Sequence, residues 1–262
     1  MPKKKLLKYT IKYLQHLLCA VNTKGHGVHS PSVFQFLYSV LYNKNEYYIF
    51  QEIDKLRNEL LKDKRKVFIK DFGTGKDRFS TVGGIVRTSV QSPKYSKLLF
   101  RIISHTGARK ILELGTSAGL TTAYLASVSS TSECITLEGS SEVLKIAGEN
   151  FKKLNIKNII TIEGDINDTL PEALAKLSAI DFIFVDANHS SGAVLSYLDQ
   201  CLPYLSANAV IVFDDIHWSD DMEQAWKVIK DHPKVTSTID LFQMGIVFFN
   251  PVLNKKHYKV CY

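Results

Sequence analysis

From residue 111 onward the sequence alternates short apolar runs with amphipathic stretches, and this alternation restricts the chain to a layered α/β fold. KILEL, CITLE, NIITIEG, IDFIFVD and AVIVFDD are rich in Ile, Val, Leu and Phe and too short to be buried helices, so they read as five strands. Between them, residues 120–127, 142–154, 167–177 and 193–205 repeat apolar positions at three- and four-residue spacing, the pattern of helices with one buried face. A fifth helix is expected over 220–230. The runs VTSTIDL and MGIVFFN follow with only a few residues between them and should pair antiparallel. The expectation is a Rossmann-like sheet of seven strands, the last hairpin antiparallel, flanked by helices.

Residues 1–105 read differently, as a helical N-terminal extension or cap, with the ligand-binding α/β domain over 106–262. Helices are expected over 5–21, 31–42, 46–64 and 93–104. In the first, Leu7, Ile11, Leu14 and Leu18 form one apolar stripe, which either docks on the α/β domain, joins two copies as a homodimer, or lies in a membrane interface. Charge is divided unevenly. Residues 1–100 carry 19 Lys and Arg against 7 Asp and Glu, a net +12, whereas residues 101–262 carry 14 against 19, a net −5. A basic front section suits an anionic partner such as nucleic acid, or is a solvated lysine-rich face.

Lys8, Lys12, Gln15 and His16 interrupt what would be the apolar core of a signal peptide, and no stretch approaches the roughly 20 apolar residues of a membrane span. The four cysteines, Cys19, Cys134, Cys201 and Cys261, are scattered without a CxxC pair. A cytoplasmic protein without transmembrane segment, disulfide framework or zinc site is expected.

The most informative segment is ILELGTSAGLTTAYL, residues 111–125. Gly115 and Gly119 flank a tight turn at the carboxyl end of the first strand, where a ligand can approach a backbone that carries no Cβ, and Ser117 adds a hydroxyl. The following helix start favours an anionic group. Glu138 ends the second strand 19 residues beyond Gly119, where a carboxylate can accept hydrogen bonds from both hydroxyls of a ribose. Asp165, after the third strand, suits an adenine amino group. Three residues separate the glycines, not the GxGxxG spacing of dinucleotide enzymes. A second glycine segment, VFIKDFGTGKD with Asp71, Gly73 and Gly75, is not followed by a strand with a terminal acid. It reads as a loop that covers the site, and its Lys76, Arg78 and Arg87 face either an acidic substrate or solvent.

On these residues the segment resembles the E/DxGxxxG signature of class I S-adenosylmethionine-dependent methyltransferases, over roughly residues 93–250. The resemblance implies Glu113 near the methionyl amine of S-adenosyl-L-methionine, and Gly115 to Gly119 around its carboxylate and sugar.

The fourth strand ends in FVDANHSSG and the fifth in IVFDDIHW, so Asp186, Asp214 and Asp215 should converge at the sheet's carboxyl edge. Mutual repulsion of three carboxylates is relieved by a hard divalent cation such as Mg²⁺, which would acidify a bound substrate hydroxyl. Otherwise the acids only cap turns and accept amide hydrogen bonds. The pattern resembles metal-dependent small-molecule O-methyltransferases, and within them the macrolide-sugar enzymes, whose motif has a histidine three residues after the first acid. His189 stands there, and by this resemblance it is the general base, with Asp186 also in the catalytic set. Catechol-type enzymes carry Asn where this chain has Asp215, and no lysine base is evident. His217 reads as a further metal ligand, a substrate contact or, first among these, an exposed loop residue, and His26 and His29 in GHGVHSP as a structural or lid pair rather than a second metal pair, since no acid is near them.

The leading expectation is methyl transfer from S-adenosylmethionine to a hydroxyl of a small molecule or sugar, assisted by a divalent cation. An RNA methyltransferase gripping phosphates with the basic front section is the alternative, although the chain has neither an Asn/Asp-Pro-Pro-aromatic tetrapeptide nor a catalytic Pro-Cys pair. A non-catalytic adapter on the same scaffold is the third.

Overall fold

Ten helices and ten strands give each apolar run of the sequence a place in the computed structural model, which describes residues 3–73 and 75–262. They fall into two compact units, residues 1–43 with 184–262 and residues 44–183. The first unit opens with α1 (Lys3–Cys19) and α2 (Pro31–Phe36), the latter continuing through a π turn over Leu37–Leu41. Ser30 caps α2 and Pro31 occupies its first turn, where a missing N–H costs nothing.

The second unit runs from α3 (Tyr48–Leu60) through the hairpin β1 (Lys66–Ile69) and β2 (Arg78–Thr81) to α4 (Val82–Thr88) and α5 (Pro93–Thr106). Then come β3 (Lys110–Leu114), α6 (Leu120–Ala126), β4 (Glu133–Glu138), α7 (Ser141–Lys153), β5 (Ile159–Glu163), α8 (Ile166–Leu177) and the start of β6 (Ile180–Val185). Residues 44–105 therefore belong with 106–183. The reason is a shared core: Phe50 of α3 meets Phe100 of α5 edge-on at 4.9 Å and Tyr124 of α6 at 5.4 Å, with Ile53, Leu56 and Val86 buried around them.

After β6 the first unit continues with α9 (Ser191–Cys201), β7 (Leu205–Asp214), α10 (Asp220–Asp231), β8 (Ser237–Asp240), β9 (Met244–Phe248) and β10 (Lys256–Lys259). Ser219 caps α10 by accepting the Met222 amide at 3.1 Å, and Asp220, Asp221 and Glu223 lie in its first turn, where the helix dipole favours acids.

The main sheet has the order β10-β8-β9-β7-β6-β3-β4-β5. β3, β4 and β5 are parallel, in a register that sets Glu113 beside Thr136 and Glu138 beside Glu163. β8 and β9 form the antiparallel hairpin read from the sequence, and β9 runs antiparallel to β7. The sheet has eight strands where seven were expected. The additional one, β10, pairs parallel with β8 through KHYK, whose only buried side chain is Tyr258. A short edge strand of mostly charged residues carries no hydrophobic periodicity to announce it. β1 and β2 are four-residue strands; β1 buries only Val67, with Phe68 and Ile69 partly covered, and β2 has no buried side chain.

The stripe of α1 does not dock on its own unit. Leu7, Ile11, Leu14 and Leu18 are exposed, while Tyr9 and His16 turn inward. No helix among the described residues is long and apolar enough to cross a membrane.

Candidate functional site

In the second unit the turn after β3 is a run of unusual backbone. Gly115, Ser117 and Gly119 adopt φ of 102°, 49° and 75°, and the amides of Gly115 and Thr116 share the Leu137 carbonyl at 3.0 and 3.1 Å. A side chain at Gly119 would meet the Phe151 ring at 2.6 Å. Ser117 has a Cβ and holds a left-handed conformation nonetheless, a strain of the sort that ligand-binding loops retain. Its amide donates to Glu138 Oε2 at 2.8 Å, and the Ser140 amide donates to Glu138 Oε1 at 2.9 Å. Both oxygens of this carboxylate are thus oriented by backbone and keep lone pairs for further donors. Burial pushes the Glu138 carboxyl above its ordinary range, and the amides of Ser140, Ser117 and Gly139 counter that shift. Ser117 Oγ is buried and has no hydrogen-bond partner among the described residues. An oriented acceptor pair beside a buried unused hydroxyl fits a ribosyl ligand.

Glu113 is fully buried in β3, where its Oε2 accepts from Thr122 Oγ1 and, at 2.7 Å, from Thr136 Oγ1. Asp165 caps α8: its Oδ1 accepts the Asn167 amide and the Asn167 side chain, both at 2.8 Å. Sequence reading gave Glu113 and Asp165 ligand duties alone, and both also have these structural ones. The β1–β2 hairpin leans on the same strand end. Phe68 N donates to Glu142 at 2.7 Å, Lys70 N to Ser140 Oγ at 3.3 Å, and the Phe72 ring lies 2.5 Å from where a Cβ on Gly139 would be.

In the first unit, Asp214 ends β7 and is buried, and Asp215 follows at φ 53°, its carbonyl taking the Trp218 amide at 2.9 Å. Aspartate tolerates this left-handed turn better than most residues. Asp186 follows β6, and His189 Nε2 stands 3.8 Å from its Oδ1, an ion-pair distance that is too long for a hydrogen bond. Among the described residues, the group of three whose ligand atoms lie within 4.8 Å of one another is His16, His217 and Asp240.

That group was not read from the sequence, and His217 is not the exposed loop residue expected. Its Nδ1 lies 2.9 Å from Glu223 Oε1 and its Nε2 3.0 Å from Asp240 Oδ2, so both nitrogens donate and the ring is an imidazolium between two carboxylates. Burial draws its pKa down, but the bonds to Asp240 and Glu223 outweigh burial and the net shift is upward. As hydrogen-bonded here, the group is a buried ion network. Tyr9 was missed as well. Burial, then Asp215 and Asp214, push its hydroxyl up to about 12, which marks both acids as its neighbours. With Lys8, Lys12, His217, Trp218, Ser219 and Asp220 it lines a cleft of about 320 Å³. Neither residue could be found by motif, because Tyr9 lies 205 residues before Asp214 and Asp240 belongs to a later strand.

Comparison with known proteins agrees with this geometry. A methyltransferase-domain family model matches residues 112–216. The catechol O-methyltransferase of Mycobacterium tuberculosis is 27% identical over 133 residues, half of this chain, and the chain spans 57% of that relative's length. Among solved structures, an O-methyltransferase from Bacillus cereus in complex with SAH is 22% identical, with a TM-score of 0.56 over 83% of this chain and 97% of its own. An O-methyltransferase involved in tomaymycin synthesis from Streptomyces achromogenes is 17% identical, with a TM-score of 0.58 over 83% and 96%. At these identities the structures attest the fold. Residues 112–216 are similar to a methyltransferase domain, and the protein has the fold of the class I S-adenosylmethionine-dependent methyltransferases.

Proposed function

We propose that the protein is an O-methyltransferase that uses S-adenosylmethionine to methylate a hydroxyl of a small molecule or sugar. The observation that carries this reading is Glu138, fixed by the amides of Ser117 and Ser140 at the end of β4 with both oxygens presented to a ribose. The names of relatives support it: a catechol O-methyltransferase in sequence, and O-methyltransferases holding SAH or SAM among the structures.

The cofactor, when bound, supplies an electrophilic methyl group on a sulfonium. Around it Glu138 would hold the ribose hydroxyls, Ser117 and the Gly115–Gly119 backbone the carboxylate and sugar, Glu113 the methionyl amine side and Asp165 the adenine. His189 would take the acceptor's hydroxyl proton as its oxygen receives the methyl group. His189 is suited to this because imidazole changes charge near neutral pH. Asp186, Asp214 and Asp215 would supply oxygen donors of the kind Mg²⁺ takes, and a cation there would lower the acceptor's pKa. The cleft beside Tyr9 and Trp218 is the acceptor's place in this reading.

Labelled S-adenosylmethionine, offered with Mg²⁺ and a panel of hydroxylated metabolites, should label an acceptor. Asp186→Ala should remove that labelling and leave S-adenosylhomocysteine binding intact. Failure of wild-type protein to bind S-adenosylhomocysteine in calorimetry would overturn the reading.

A further inference from the structure

One face of α1 has no use in the catalytic reading. The inward face is engaged: Tyr9 and the half-exposed Tyr13 each pack edge-on against Phe242 at 5.0 Å, His16 is buried on the same ring, and Lys12 pairs with Asp220 and Glu223 at 2.9 and 2.8 Å. These contacts fix the helix rotation, and with it the direction of the opposite face. On that face Leu7, Ile11, Leu14 and Leu18 follow one another at three- and four-residue steps and are 63%, 47%, 54% and 85% exposed. A contiguous apolar stripe of this size on a soluble surface marks an interaction site.

We infer that α1 docks the protein on an anionic lipid surface, lying in the interfacial plane with this stripe toward the acyl chains. Charge selects the occupant. Residues 1–43 contain six lysines, at positions 3, 4, 5, 8, 12 and 24, and no aspartate or glutamate; Lys8 and Lys12 pair with Asp220 and Glu223, which leaves the basic run Lys3–Lys5 at the start of the helix as the charge next to the stripe. A basic helix with an apolar face is the form that peripheral binding to acidic headgroups takes. A second copy fits poorly, because a two-fold contact through α1 would bring one acid-free, lysine-rich segment against another. The helix is too short and too charged to span a bilayer, so the geometry is that of a helix lying on the surface.

Flotation of the full chain with phosphatidylcholine vesicles, with and without phosphatidylglycerol, tests this. The protein should float with the anionic vesicles at low salt, float little with the neutral ones, and be released by high salt. The triple variant Ile11→Glu, Leu14→Glu, Leu18→Glu should lose partitioning by about tenfold or more. Its circular dichroism and melting should match wild type, since all three side chains already lie in solvent. Equal flotation with neutral vesicles, or a triple variant that floats as wild type does, would overturn the inference. So would a wild-type dimer that the triple substitution converts to monomer without any vesicle binding, which would assign the stripe to a second copy.

Discussion

Glu138 illustrates how one carboxylate is held in a single orientation by main-chain groups. Glu138→Gln keeps the size but sets an NH₂ against one of the two amides that now donate to the carboxylate. Losing a charged acceptor of this kind costs about 1.5–3 kcal/mol, so affinity for S-adenosylhomocysteine in calorimetry should fall by about tenfold or more. The glycines separate backbone need from mere smallness. Gly119→Ala forces a Cβ to 2.6 Å from Phe151 and 2.9 Å from Ala147 at φ 75°, and should destabilise by about 1–3 kcal/mol in urea unfolding. Gly148→Ala meets nothing within 4 Å inside α7 and should stabilise by about 0.5–1 kcal/mol. Asp240 supplies a pH dependence. Burial alone would raise its pKa, but the bond to His217 and its charge bring it below the ordinary carboxylate range. A group whose folded pKa is depressed stabilises fully above its unfolded value, about 3.9, and loses that contribution as pH falls through the lower folded value. Asp240→Asn should therefore cost about 3 kcal/mol at pH 7, as for a broken buried pair, with the deficit shrinking below pH 4.

At the scale of elements, sequence pattern located what packing period controls and missed what it does not. β3 to β9 lie where their apolar runs stand; β3, β4, β6 and β7 are rich in buried Ile, Val, Leu and Phe, whereas the edge strand β5 keeps the apolar run IITI with no side chain fully buried. β2 and β10 escaped, since a short strand with mostly exposed or charged side chains has no period-two signal. The same divide runs through the site. Gly115, Gly119 and Glu138 were legible because turn geometry and strand-end spacing demand those residue types locally. Tyr9 and the His217–Asp240 pair were not, because their partners are brought together only by long-range packing. The hairpin is the element whose function most depends on being found. Its Phe72 lies against Gly139 and its backbone bonds to Ser140 and Glu142, so the loop after β1 adjoins the Glu138 end of β4. A ligand seated on Glu138 should restrain that loop. Limited trypsin digestion should cut at Lys70, Lys76 or Arg78 in the free protein and slow several-fold with saturating S-adenosylhomocysteine. An unchanged cleavage rate would separate the hairpin from the cofactor.

For the whole molecule, the two ligands of the proposed reaction draw on different compact units, and that division can be measured. Glu113, Ser117, Glu138 and Asp165 belong to residues 44–183, whereas Asp186, His189, Asp214 and Asp215 belong to the unit of 1–43 and 184–262. A ligand that binds only folded protein stabilises it by about 2.7 kcal/mol at a hundredfold excess over its Kd. Hydrogen exchange reports where that stabilisation is felt. With S-adenosylhomocysteine alone, protection should rise in the peptides holding 115–119 and 138–140, whose Ser117 and Ser140 amides already donate to Glu138 and have only to open less often. With Mg²⁺ alone, it should rise around 186–190 and 214–218, where positive-φ backbone at Asn188 and Asp215 marks tight turns that a cation would stiffen. Asp214→Asn should remove the second pattern and leave the first. If Mg²⁺ protects neither segment while S-adenosylhomocysteine protects its own, the methyl transfer stands without a metal, and His189 and Tyr9 are left as the groups that handle the acceptor's proton. If instead the cofactor analogue protects nothing in 115–119, the family resemblance describes the fold and not the activity.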